Sequence, residues 1–192
     1  NQDSRMKILA FSDLHMARAR AAEIVAASAG ADLVIGAGDF CIKRKGVETA
    51  MAYFDRIEVP FVVVPGNNES EAELRGAVPG SVAVLHGTGI EIGGLRLFGL
   101  GYGVPQTPFG SWSCDLDETT AGTMLDTCAA ADVLILHSPP KGIADLTADG
   151  VSAGSTAIAA AIERIQPKLA VCGHIHDSWG REGRIGETRI VN

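Results

Sequence analysis

No apolar run in these 192 residues approaches the ~20 needed to cross a bilayer, so no helical membrane span is expected. No secretory leader is visible either. The apolar run between Lys7 and Phe11 is too short, and Asp13 and His15 interrupt the residues after it. The chain has no Cys-x-x-Cys pair; Cys41, Cys114, Cys128 and Cys172 are scattered. That argues against a thiolate metal site and, in a chain long enough to build a core, fits reduced thiols in a cytoplasmic protein. Cys128 and Cys172 fall in a helical and a strand pattern and are expected to be buried small hydrophobes. Positive charge is also short, with 16 Lys and Arg against 23 Asp and Glu and a net charge of −7. Stable nucleic-acid binding and attraction to an anionic membrane are therefore not expected. Carboxylates that hold metal count as negative in that sum yet sit in a positive site. There is no internal repeat, low-complexity tract or linker, and one domain spanning residues 6–192 is expected. Asn1 to Arg5 lacks periodicity and is expected to be a non-native remnant before a natural start at Met6.

What is present is an alternation. Met6 to Phe11 is a short apolar run, expected to be a strand buried on both faces. Residues 17–29 read as a helix stopped by Gly30, 32–37 as a strand, 47–57 as a helix and 61–64 as a strand. Strand, helix, strand, helix, strand predicts a parallel sheet with right-handed crossovers. Residues 82–85, 90–92 and 95–100 read as short strands, with Gly93-Gly94 as a hairpin turn. Residues 101–120 form a long loop carrying Tyr102, Phe109 and Trp112. A loop of that length is usually functional or mobile, and a packed-down surface excursion is the alternative. Helices are expected at 121–130 and 156–165, strands at 132–136 and 169–172, and a closing hairpin between Trp179 and Val191. The fold class is α/β, a sandwich of two sheet segments with helices outside.

Five strand ends carry the polar residues that matter. They end in Asp13-Leu14-His15, Gly38-Asp39, Gly66-Asn67-Asn68, His137 and Gly173-His174-Ile175-His176. Ligands of open α/β sheets bind outside the carboxyl ends of the strands, so these distant residues are expected to converge on one edge. Taken alone, the His-x-His is equally well two unrelated strand-end histidines. Carboxylate, amide and imidazole ligands together suit Mn, Fe, Zn or Ni. Several candidate ligands around one or two negative charges make a pair of cations about 3.5–4 Å apart an expectation.

The order Asp-x-His, Gly-Asp, Gly-Asn, His, Gly-His-x-His resembles the metallophosphoesterase (calcineurin-like phosphoesterase) superfamily. The resemblance covers nearly the whole chain. Ser12-Asp13-Leu14-His15, Gly36-Ala37-Gly38-Asp39 and Gly173-His174-Ile175-His176 are its most specific pieces. His137-Ser138-Pro139-Pro140 and Thr107-Pro108-Phe109-Gly110 further resemble small prokaryotic members. The resemblance implies a four-layer α-β-β-α sandwich with its metal site at the carboxyl ends of the strands. It implies one divalent ion held by Asp13, His15 and His176, a second held by Asn67, His137 and His174, and Asp39 bridging them. It implies a dinuclear phosphohydrolase, manganese being the first expectation, in which a bridging hydroxide attacks phosphorus. The expected substrate is a small phosphoester or nucleotide. A non-catalytic scaffold of the same fold and a phosphomonoesterase or protein phosphatase are the alternatives. Oligomeric state is not readable.

One residue departs from the pattern. Where the family carries Gly-Asn-His, this chain reads Gly66-Asn67-Asn68. Asn68 can hydrogen-bond a phosphoryl oxygen but cannot deliver a proton at neutral pH. Phosphodiesters and substrates with good leaving groups are therefore expected over unactivated monoesters. Among other residues, His86 reads as a surface or turn histidine, and Lys43-Arg44-Lys45 as a solvated run, with a phosphate-attracting rim as the alternative. Cys41 reads as filler. Glu69 and Asp177 are expected to orient ligands, and Tyr102 and Phe109 to stack on an aryl or base group.

Overall fold

The computed structural model describes residues 5–192, and all but Arg5 of the expected non-native remnant lies outside them. Ten strands and five helices follow one another in the described residues. They are β1 (Ile8–Phe11), α1 (Arg18–Ser28), β2 (Leu33–Gly36), α2 (Val47–Ala52), β3 (Phe61–Val63), α3 (Glu71–Ala77), β4 (Val82–Val84), β5 (Thr88–Ile92), β6 (Leu95–Leu100), α4 (Glu118–Leu125), β7 (Val133–Leu136), α5 (Thr156–Ile165), β8 (Leu169–Val171), β9 (Glu182–Ile185) and β10 (Thr188–Val191).

Two sheets result. The first is parallel throughout, in the order β1-β2-β3-β4. The second runs β5-β6-β7-β8-β10-β9, with parallel pairing from β6 to β10 and an antiparallel hairpin at each end. Alternation of side chains across each strand gives each sheet two apolar faces, and both are covered. Leu33, Ile35, Val62 and Val64 of the first sheet meet Leu97, Val133, Ile135 and Val171 of the second. The outer face of the first packs under α1, α2 and α3 through Ala21, Met51 and Leu74. The outer face of the second packs under α4 and α5 through Leu125, Ile158 and Ile162. The layers are therefore α-β-β-α.

Local chemistry explains the helix ends. Ser70, Asp117 and Ser155 each accept a backbone N–H three residues on, from Glu73, Thr120 and Ile158. Helix α3 is absent from the sequence reading although its signal is present: Ser70-x-x-Glu73 is a capping box. Helix α4 starts at its Asp117 cap and stops at Leu125, earlier at both ends than its apolar pattern suggested. Helix α2 ends at Ala52, and turns replace the expected continuation to Ile57. Strand β1 is not buried on both faces. It is an edge strand beside a cavity of about 870 Å³ lined by Phe11, Ile24, Val171 and Val191, which leaves Ala10 exposed. No helix among the described residues is long and apolar enough to cross a membrane.

Candidate metal centre

The parallel strands all point their carboxyl ends at one rim, and the turns beyond them are hydrogen-bonded to each other. Asp13 N–H donates to Gly38 O (2.9 Å), His15 N–H to Asp39 O (3.0 Å) and Gly173 N–H to His137 O (2.9 Å). Four residues of the rim, Asp13, His15, Asp39 and His174, have φ between 45° and 71°. Left-handed backbone in non-glycine residues is costly and clusters where side chains must be aimed at a site. Gly66 allows a close approach: a Cβ there would lie 2.1 Å from Asp39 Oδ1. Buried Glu69 pins the two turns together by accepting N–H groups from Asp39 and Phe40 (2.8 Å each), Cys41 (3.3 Å) and Gly66 (2.5 Å).

The structure brings the seven expected ligand residues to this rim. Asp13, His15, Asp39 and His176 offer atoms within 4.8 Å of one another, as do Asp39, His137 and His174, so Asp39 belongs to both groups. Its two oxygens are not equivalent. Oδ1 accepts the Asn68 N–H at 2.9 Å, while Oδ2 lies 3.6 Å from His15 Nε2 and 3.3 Å from His137 Nε2. Asn67 Oδ1 sits 3.1 Å from His137 Nε2. Asp13 Oδ2 accepts from Ser12 Oγ (2.6 Å) and Trp179 Nε1 (3.4 Å), leaving Oδ1 facing His176 Nε2 at 3.5 Å.

The donor set fits divalent cations on a specific ground. His137 Nδ1 lies 2.8 Å from Ala37 O and His15 Nδ1 lies 3.2 Å from Cys41 O, so both N–H groups are spent on carbonyls. Each Nε2 then presents a lone pair to carboxylate and amide oxygens that also present lone pairs. Such a convergence is repulsive unless a cation or a proton lies within it. Without a cation, a proton fills the gap. Burial opposes charge on His137, but Asp39 and Asp13 outweigh it and raise its pKa to about 10. Burial, with charged His137 beside it, lowers His174 to about 4. Burial also opposes charge on Asp39, yet the His137 charge holds that carboxyl below its usual range. Burial and the Asp39 charge push Glu69 up to about 7.

These shifts set the pH response of cation-free protein. His174, depressed, contributes stability present above about 6.5 and lost as pH falls through about 4. Glu69, raised, contributes stability present below about 4.5 and lost as pH rises through about 7, so the two oppose each other. His137, raised, contributes stability present below about 6.5 and lost as pH rises through about 10. The melting temperature of EDTA-treated protein is expected to fall between pH 7 and 10, and less so with Mn²⁺ present. A melting temperature unchanged over that interval without metal would contradict the charge on His137.

The surroundings partly redraw the sequence picture. A cavity of about 570 Å³ opens over the centre, walled by Ile42, Lys43, Phe109 and Trp112 and floored by Asn68 and His174. Phe109 and Trp112 stack in parallel, 6.1 Å between centroids, and the Phe109 ring meets His174 edge-on at 6.4 Å. Tyr102 is not in this wall: its ring packs on His86 and its hydroxyl accepts the Glu71 N–H. Trp112 takes the place expected of Tyr102; its position beside Phe109 in the same loop was the available signal. His86 is away from the rim and accepts the Gly101 N–H through Nδ1. Asp177 does not orient a ligand; it is exposed and accepts the Ala148 N–H. Of the basic run, Arg44 pairs with Glu73, and Lys43 borders the cavity with Nζ 5.8 Å from the Trp112 ring centroid. Cys41 is buried, and burial pushes its thiol above the ordinary range.

A parallel sheet and a mixed sheet thus present one rim of histidine, carboxylate and amide groups suited to divalent cations. The calcineurin-like phosphoesterase superfamily domain matches residues 6–192, and the chain belongs to that family, a family of phosphoester hydrolases. Two Caenorhabditis elegans proteins named UPF0046 are similar to it. One is 28% identical over 186 residues, 84% of this chain and 61% of its own length. The other is 32% identical over 105 residues, 51% of this chain and 26% of its own. The chain thus spans less than two thirds of either relative. Among solved structures, TT1561 of Thermus thermophilus superposes with a TM-score of 0.79 at 17% identity, covering 97% of this chain and 88% of that one. A purple acid phosphatase from yellow lupin seeds gives 0.60 at 12% identity, covering 91% of this chain and 38% of that one. At these identities the likeness is one of fold.

Proposed function

We propose that this chain is a dinuclear metal-dependent phosphodiesterase acting on diesters with a planar aryl or nucleoside arm. Asp13, His15 and His176 would hold one divalent ion, Asn67, His137 and His174 the other, with Asp39 Oδ2 shared. When bound, two such ions supply an activated water and positive charge for the phosphoryl oxygens. The observation that carries the diester preference is Asn68. Its Oδ1 accepts the Lys43 N–H at 2.8 Å, so its amide NH₂ is free of that contact and the residue lines the cavity. An amide donor there can hold a phosphoryl oxygen through attack but cannot protonate a departing alkoxide. The leaving group must then depart as a stable anion, which favours aryl and activated esters. Phe109, 54% exposed, and Trp112 offer a flat apolar face beside the reacting group.

The test compares bis-p-nitrophenyl phosphate with an alkyl phosphomonoester such as glycerol 2-phosphate, in Mn²⁺ and in EDTA. The diester is expected to turn over at least tenfold faster, EDTA is expected to abolish both activities, and Phe109→Ala is expected to raise KM more than it lowers kcat. Preference for the monoester, or activity indifferent to EDTA, would overturn the reading. A chain that binds two ions and hydrolyses neither substrate would instead be a non-catalytic scaffold.

A further inference from the structure

Asn67 can serve a cation only through its oxygen, yet an amide can present either end. Its Nδ2 donates to Ser113 Oγ at 3.0 Å. Ser113 Oγ lies 2.8 Å from Asp115 Oδ1 and 3.0 Å from Thr107 Oγ1, and Asp115 Oδ2 accepts from Thr107 Oγ1 (2.8 Å) and from Thr107 N–H (3.0 Å). The proton count fixes the direction of this chain of contacts. An ionised carboxylate only accepts. Ser113 therefore spends its single proton on Asp115 and must accept from Asn67. The amide NH₂ has to face Ser113, and Oδ1 has to face His137 and the centre.

The loop that carries these residues is built against the rim. Cys114 N–H donates to Asn67 O at 2.8 Å, so the backbone of the loop grips the same residue whose side chain it reads. Ser138, next to His137, accepts the Val104 N–H (2.9 Å) and donates to Tyr102 O (3.0 Å), tying down the start of the loop.

We infer that Asp115, acting through the hydroxyl of Ser113 and supported by Thr107, is a positioning residue that sets the Asn67 amide with its oxygen toward the second cation position. This rests on the two-ion reading of the centre. The variants are Asp115→Asn, which keeps the shape but adds a donor so that the Ser113 proton can turn toward Asn67, and Ser113→Ala, which removes the acceptor. Outer partners of metal ligands are commonly worth about 10–100-fold in affinity. Mn²⁺ titration calorimetry on metal-free protein is expected to show one of two binding events, the one at Asn67, His137 and His174, falling by about that factor in both variants. The other event, at Asp13, His15 and His176, should stay within about twofold, the melting temperature should hold, and Ser113→Thr should restore the lost affinity. If both variants keep both affinities, or lose both equally, the inference is overturned, and Ser113→Ala decides alone if Asp115→Asn does not fold. If the unmutated chain binds fewer than two ions, the two-ion reading itself fails and takes the inference with it.

Discussion

An Asp39→Asn chain is expected to retain its fold, bind neither ion tightly and lose activity by more than about 10³-fold. The asymmetry of the Asp39 carboxylate is the reason. Oδ1 is committed to the Asn68 N–H at 2.9 Å, a contact the asparagine oxygen keeps. The substituted NH₂ then occupies the place of Oδ2, between His15 Nε2 and His137 Nε2. Two lone pairs that called for a cation are met by a neutral donor instead, and both cation positions lose their shared anionic oxygen. Affinity should fall by more than the 10–100-fold typical of outer partners. Turnover should fall by more than the 10²–10³-fold of a single oxyanion donor. Metal content after dialysis against Mn²⁺, read beside hydrolysis of the diester, checks both. Two ions retained at wild-type affinity would rule out Asp39 as the shared ligand. The same substitution should diminish the alkaline loss of stability in cation-free protein, because His137 keeps buried Asp13 but loses Asp39, the stronger of the two carboxylates that hold its proton.

Asn68→His is expected to act in the opposite direction, raising monoester turnover by about 10²–10⁴-fold while changing diester turnover far less. The position is pre-built for it. Asn68 is only 6% exposed, and its Oδ1 accepts the Lys43 N–H. An imidazole Nδ1 reaches about as far from the backbone as an asparagine oxygen and can accept the same N–H. That leaves Nε2–H pointing to the cavity as a proton donor. A monoester with a poor leaving group needs such a proton, whereas an aryl diester does not. Parallel pH-rate profiles sharpen the result: the variant's monoester activity should acquire a limb in the imidazole range, absent in the unmutated chain. No gain with an alkyl monoester would mean that something other than proton delivery limits this centre, whereas p-nitrophenyl phosphate, whose leaving group departs as a stable anion, should change little.

Much of this protein was readable without coordinates. The apolar runs at 61–64, 95–100 and 132–136 lie within a residue or two of their strands, and 156–165 coincides with α5. Period and length are local properties, and caps such as Ser155 act within one turn, so a single segment determines them. The inventory of ligand types was local too, because strand ends are where polar residues follow apolar runs. The local misreadings have physical causes. The α3 capping box lies between two turn-rich stretches that mask it, and β1 looked like a central strand because apolar composition does not say which side has a neighbour.

The rest belonged to the folded chain alone. His15 and His176 stand 161 positions apart and place their Nε2 atoms 3.3 Å from each other. Asn67 takes its orientation from Ser113, 46 positions away, and Asn68 from the backbone of Lys43. Sequence determined that oxygen and imidazole ligands would gather at one rim. Only tertiary structure decided which oxygen of Asp39 is free, which end of Asn67 faces inward, and that Trp112 rather than Tyr102 walls the cavity. A side chain's proton and lone-pair directions are set by whatever it touches, and the partners that orient Asp39, Asn67, Asn68 and His137 come from other parts of the chain.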